Sequence, residues 1–483
     1  MKKIVLFASL FLILFQVKAA LELPKVFADH MVLQRGQEIP VWGKADPKQW
    51  VNVTFQGKKY RVKADKEGQW MLKMDAFSKG GPYILSINTK KDSKVLENVM
   101  MGDVWLLGGQ SNMEWALKNT NSGEDSVNAA NHPNIRLFEV GRNLSLEVIE
   151  EVPEAKWSIC SPETAANFSA IGYYFARRIE SDMDVAIGLL DINWGGTVSE
   201  AWTSGDALLT HADFKETVAK NQSEGPKDFS DPKLKSPNSW PTSLFYGMLE
   251  PVIPFAIKGA LWYQGESNAS RAYQYREIFP LMIEDWRTHW GQGDFPFLWV
   301  QLANFRQPKA DPEDSDWAEL REAQSMALSL PNTGQAVIID KGEANDIHPR
   351  DKWTVGERLA KGAKKVAYGM DVVYSGPTYK SMEIQGNQIR VSFDHIGSGL
   401  MVNDKYGYVK GFSVAGQDKK FHWVSGQQDG DQIVLETGDI KNPVAVRYGW
   451  ADNPDDVNLY NKEGLPADPF RTDDWNGITY GKK

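Results

Sequence analysis

The sequence predicts an α/β fold, with a parallel central sheet covered by helices and β-sandwich elements at the two ends. Three observations predict it. Residues 21–100 carry short alternating runs punctuated by Gly, Pro, Asp and Lys. Residues 101–370 change to apolar strand-like runs separated by longer helical stretches. From 371 to 483, alternating β-type runs return. A chain of 483 residues is also too long for one compact core, so two or three domains are expected.

The first element is a targeting segment. Lys2 and Lys3 precede the apolar run "IVLFASLFLILF", and small residues follow in "QVKAA". Basic flank, short apolar core and small residues predict a signal peptide over 1–19, cleaved after Ala19. The run is too short to span a bilayer, which needs about 20 apolar residues. The expectation is a secreted or periplasmic protein with no membrane attachment after cleavage. Next, "IPVWGKA", "WVNVTFQGKKYRVKA" and "YILSINTK" read as strands of an antiparallel sandwich over 21–100.

Strands of the central unit (101–370) are predicted at 104–108, 135–140, 184–192, 257–264, 295–302 and 335–340. Helices are predicted over "NFSAIGYYFARRIESDM", "TSLFYGMLEPV", 271–290, "WAELREAQSMALSL" and "RDKWTVGERLAKGAKKVAYG". Between 204 and 240 a polar stretch reads as a long loop or small insertion near the active face. The runs "MEIQGNQIRVSF", "GYVKGFSVAG", "QIVLETG" and "PVAVRYGW" make a C-terminal β-rich region over 371–483.

Composition narrows the function. The net charge of −9 gives no support to nucleic-acid binding, which needs a basic face. One cysteine, Cys160, excludes an intramolecular disulfide and carries no catalytic-thiol signature. Seven scattered histidines include no metal-binding pair, so no structural zinc site is expected, and the acyl-transfer chemistry set out below requires no metal or organic cofactor.

In a parallel sheet, ligands bind beyond the carboxyl ends of the strands, and there the chemistry collects. Gly109-Gln110-Ser111-Asn112 follows the first central strand, and Trp194-Gly195-Gly196 follows 184–192. Gln264-Gly265-Glu266-Ser267-Asn268 and Asn345-Asp346-Ile347-His348 follow later strands. Ser111 also opens an S-x-x-E pattern with Glu114, which predicts a helix-capping box. These are the parts for acyl transfer. Ser111 is the nucleophile, His348 its base, and Asp346 or Glu266 the acid that orients the imidazole. Oxyanion donors are the N–H groups of Ser111 and of Gly195 or Gly196, with a side-chain amide from Gln264 or Asn268. Trp115, Trp202 and Trp262 adjoin these loops and could stack on a sugar ring, and Arg350 and Lys352 could meet a substrate carboxylate or lie solvated at a helix start.

The blocks GQSN, WGG, WYQGESNA and DIHPRDKWTVGERLA, in this order, resemble the sialate O-acetylesterases and related carbohydrate esterases of the SGNH hydrolase superfamily. "FADHMVLQRGQEIPVWGKA" and "AVRYGWADNP" extend the resemblance over most of the chain. It implies a flavodoxin-like three-layer α/β/α SGNH hydrolase domain, with Ser111 as nucleophile and His348 as base. It also implies a substrate, acetylated carbohydrate, with sialic acid preferred over acetylxylan or another polysaccharide. The chain departs from the wider superfamily in GQS for GDS, GESN for G-x-N-D, and D-x-H for D-x-x-H. A reading of another class is a non-catalytic carbohydrate-binding protein, which the complete Ser, His, acid and oxyanion set disfavours.

Overall fold

The computed structural model describes residues 21–226 and 228–483. The segment read as a signal peptide, 1–19, lies outside the described residues. The central sheet contains β1 (Ser93–Gly109), β2 (His132–Val140), β3 (Ala155–Cys160), β4 (Ile187–Asn193), β5 (Gly259–Tyr263), β6 (Phe297–Val300) and β7 (Thr333–Ala336). Its order is β7-β6-β5-β1-β4-β2-β3. All neighbours are parallel except the β2–β3 edge pair. The antiparallel strand β3 is an element that the sequence reading missed, because "AKWSIC" is short and barely alternates.

Helices cover both faces. Those used below are α1 (Ser111–Glu114), α2 (Ala170–Met183), α3 (Ala272–Trp290), α4 (Asp316–Met326) and α5 (Lys352–Val366). On one face, Trp105 of β1 meets Phe175 of α2 with ring centroids 5.0 Å apart. On the other, Trp262 of β5 and Phe297 of β6 meet Trp286 of α3, at 5.5 and 5.6 Å. That is why these strands are apolar without alternation: both faces are buried. The predicted helix over "TSLFYGMLEPV" is instead one π turn, Phe245–Leu249, running into a 3₁₀ turn at Glu250–Val252. Pro251 lacks the N–H that would continue a helix, and the chain leaves at Ile253 in extended conformation.

Trp286 is fully buried and donates from Nε1 to the Trp202 carbonyl at 2.8 Å. Trp286→Ala leaves a large cavity in this aromatic layer. It is expected to cost about 3–5 kcal/mol of stability, read as a lower denaturation midpoint.

Strand β1 also ties the central sheet to the N-terminal β element. Its first half pairs with Gly80–Asn88 and Val32–Gln34, and its second half with β4 and β5. The C-terminal region forms a seven-stranded sheet from Thr378–Gln385 to Phe470–Arg471, with its own core of Ile389, Val391, Phe412, Ile433 and Val446. Cys160 is buried, and burial pushes its thiol up to about 12, so it stays protonated.

Candidate active site

The sheet order changes direction at β1, with β4 and β2 on one side and β5 to β7 on the other. That is the place where an open α/β sheet forms its crevice. Two backbone bonds draw the strand ends together there. Trp194 N–H donates to the Gly109 carbonyl at 3.1 Å, and Gln110 N–H donates to the Tyr263 carbonyl at 2.9 Å. Gly109 sits at φ +132°, and a Cβ there would stand 2.2 Å from the Tyr263 carbonyl oxygen. Only glycine allows so close an approach.

Ser111 is the first residue of α1, after Gln110 at the N-cap. Its Oγ lies 2.8 Å from His348 Nε2. The predicted capping box does not form. The cap position belongs to Gln110, whose carbonyl accepts from Met113 and Glu114 N–H. Glu114 turns away, accepting from the Gly195 N–H at 2.9 Å and pairing with Arg142. Ser111 is therefore free to face the histidine.

His348 lies in the loop between β7 and α5. Its backbone N–H donates to Asp346 Oδ1 at 2.9 Å, and its Nδ1 lies 3.5 Å from the same oxygen. The loop turns back on itself, so the acid two residues earlier faces the imidazole. At 3.5 Å the Nδ1 contact is longer than a formed hydrogen bond, and such contacts often tighten once substrate is bound. Burial holds His348 below the ordinary histidine value, and Lys352 adds to this while Asp346 opposes it. The Trp115 ring stacks on His348, with centroids 5.0 Å apart and an interplanar angle of 18°.

Glu266, the rival acid, has a different neighbour. Its Oε1 accepts from Asn112 Nδ2 at 2.6 Å, and burial raises its pKa above the usual carboxylate range. The structure thus sets Asp346, not Glu266, against the imidazole.

The oxyanion donors divide in the same way. Gly195 lies against the nucleophile, since a Cβ there would stand 3.2 Å from Ser111 Cβ. In the free protein its N–H is held by Glu114, and Gly196 follows with a left-handed backbone at φ +74°. The two side-chain amides are a correction. Gln264 is fully buried and donates to the Thr197 carbonyl and to Asn268 Oδ1. Asn268 donates from Nδ2 to Glu200, and its Oδ1 also accepts from Ser199 N–H. Both amides are spent fastening the strand-end turns to one another, and neither faces the pocket.

Two tryptophans need the same correction. Trp202 and Trp262 are fully buried and stack edge to face at 6.3 Å, so neither reaches a substrate. They adjoin the loops in sequence but pack into the core around Trp286 of α3. Arg350 is exposed, with its guanidinium 4.0 Å from Asp346. The polar stretch does reach the active face, for Asn238 and Ser239 donate to the Gly195 and Gly196 carbonyls.

Ser111, His348 and Trp115 open into a cavity of about 620 Å³, whose other walls include Asn119, Glu139, Arg142 and Asp191. Asp191 is buried, bonded by Asn193, and burial beside Glu139 and Glu114 pushes its pKa well above the usual range. Burial and Glu114 likewise raise Glu139. The sequence reading missed both acids. The available signal was a charged residue near the end of an otherwise apolar strand, "IRLFEV" and "GLLDIN".

The chain is similar to known proteins over most of its length. The family model described as carbohydrate esterase, sialic acid-specific acetylesterase, matches residues 101–365. The sialate O-acetylesterase of Mus musculus is 29% identical over 509 residues, covering 92% of each chain. That of Homo sapiens is 29% identical over 488 residues, covering 91% of this chain and 90% of the relative. Among solved structures, a carbohydrate acetylesterase from Xanthomonas citri superposes with a TM-score of 0.87 at 42% identity. It covers 94% of this chain and 100% of its own.

Proposed function

Since the chain belongs to the carbohydrate esterase family of sialic acid-specific acetylesterases, we propose that it removes O-acetyl groups from carbohydrate through an acetyl-serine intermediate. The chain is a carboxylic ester hydrolase, and deacetylation of carbohydrate is its reaction class. The observation that carries the mechanism is the 2.8 Å contact of Ser111 Oγ with His348 Nε2. Ser111 Oγ attacks the acetyl carbonyl while His348 Nε2 takes its proton. The tetrahedral oxyanion is held by the Ser111 N–H and the N–H of Gly195 or Gly196, at the start of α1 where the backbone favours negative charge. His348 then gives the proton to the departing sugar oxygen, leaving acetyl-Ser111. Water attacks that ester with His348 again as base, and acetate leaves. Asp346 orients the imidazole and stabilises its charged form.

We read the central unit as the flavodoxin-like three-layer α/β/α domain of an SGNH hydrolase. Its parallel strands, its helices on both faces and its strand-end serine support that reading. The basic, apolar and small-residue pattern of residues 2–19 supports export to the periplasm or beyond.

Sialic acid is the first sugar to test, because the curated relatives carry that name. One observation favours a neutral sugar such as acetylated xylan instead. Glu114, Glu139 and Asp191 line the cavity, and Glu114 pairs the guanidinium of Arg142. Carboxyl groups hydrogen-bond sugar hydroxyls, and the Arg142 guanidinium, already paired with Glu114, is not free for a sugar carboxylate. The sialate reading expects acetate release from O-acetylated sialic acid and none from acetylated xylan. The reverse pattern transfers the site to neutral polysaccharide.

A further inference from the structure

Behind Ser111 and His348 runs a buried polar chain that the mechanism above does not use. Asn112, the residue after the nucleophile, is 1% exposed. Its Oδ1 accepts from the Lys352 ammonium. Its Nδ2 donates to Glu266 Oε1 at 2.6 Å and to the Ile347 carbonyl at 3.0 Å. Both N–H bonds and the acceptor are satisfied, so the amide has one orientation. Ile347 immediately precedes His348. One side chain thereby clamps the Ser111 turn, the His348 loop, the Glu266 turn and the start of α5.

Lys352 is a poor choice for stability. It is fully buried in the first turn of α5, where the helix dipole disfavours a cation. Its ammonium lies over the Trp115 and Tyr263 rings at 5.8 and 5.5 Å, and its hydrogen bond goes to an amide rather than a carboxylate. Glu266 Oε2 is buried with no hydrogen-bond partner. An apolar pair of similar volume commonly serves a core as well as, or better than, buried charges. Ser111 abuts this chain on one side, and the Trp115 ring bridges it to His348 on the other.

Resting on the esterase reading, we propose that Lys352 and Glu266, acting through Asn112, are positioning residues that hold Ser111 against His348 and set the charge His348 experiences. The charged groups around Lys352 are Glu266, Asp346, Glu343 and Asp351, which oppose the burial that brings it down to about 7. Burial first, and the Lys352 charge after it, disfavour a proton on His348, while Asp346 opposes both.

The test compares Asn112→Ala, Lys352→Met, Glu266→Gln and the Lys352→Met/Glu266→Gln double variant on 4-nitrophenyl acetate, with wild type and Ser111→Ala as references. Asn112→Ala is expected to lose about 10²-fold in kcat, the typical effect of misplacing a catalytic group. Its KM is expected to stay within about twofold, because the lost interaction acts on chemistry rather than on binding. In Lys352→Met the acid limb of kcat/KM moves to higher pH, a displacement that a purely structural role would not give. The double variant, which removes both buried charges, is expected to exceed either single variant in kcat. A Lys352→Met limb superimposed on wild type overturns the proposal, as does Asn112→Ala with wild-type kcat. If Asn112→Ala does not fold, the Lys352→Met profile decides alone. An inactive wild type, or an active Ser111→Ala, sinks the esterase reading itself. An active wild type, a dead Ser111→Ala and an unmoved limb sink only the positioning role.

Discussion

Replacing Ser111 by alanine is expected to lower kcat by about 10⁶-fold while the protein stays folded, because loss of a nucleophile in a serine hydrolase has an effect of that order. The fold does not depend on the hydroxyl. Ser111 is not the cap of α1, and its Oγ is engaged with His348 Nε2 rather than with the helix backbone. Thermal denaturation should therefore superimpose on wild type, and acetate release from an aryl acetate should fall to the residual rate of the oxyanion donors. Had Ser111 and Glu114 formed the capping box, the same substitution would also cost about 1 kcal/mol of stability. Measuring stability and activity together separates the two roles. Retained activity would remove Ser111 from the mechanism.

His348→Ala is expected to cost about as much, and Ser111→Ala/His348→Ala no more than either alone, because nucleophile and base act as a unit. Additive losses would mean that the two residues work independently, against the 2.8 Å contact. The wild-type pH profile gives a second check. The base must be neutral to accept the serine proton, so kcat/KM rises as pH passes through the His348 pKa. Burial and then Lys352 hold that value below the ordinary 6.5, with Asp346 pulling the other way. Half-maximal kcat/KM is thus expected below pH 6.5, with the plateau reached at neutral pH. A half-maximum above that value would show that Asp346 outweighs burial and Lys352.

How much of this was legible in the chain depended on how local the cause was. The strand-end blocks around Ser111, Gly195 and His348 could be read directly, because a parallel sheet sends every strand end to the same edge. Asp346 against His348 was legible as a possibility, since two residues separate them and only the turn of the loop was undetermined. The roles of Gln264, Asn268, Trp202 and Trp262 were not legible. Each lies within a few residues of a catalytic block, yet packing of the strand end and of the turns at Ser199–Trp202 and Glu266–Arg271 buries all four. Asn112 and Lys352 were hidden for a related reason. A lysine at the start of a helix ordinarily reads as a solvated residue, and only packing against Trp115 and Tyr263 shows it buried.

By itself the sequence determined the α/β class, the order of the chemical blocks and the placing of a serine and a histidine beyond strand ends, because periodicity and residue type act over a few residues. Tertiary structure alone decided which carboxylate stands behind His348, which amides are already spent and which tryptophan meets the imidazole. Those choices depend on contacts between residues far apart in the chain, such as the 237-residue separation of Ser111 from His348. Such contacts follow from sheet register and side-chain direction, neither of which any single segment contains.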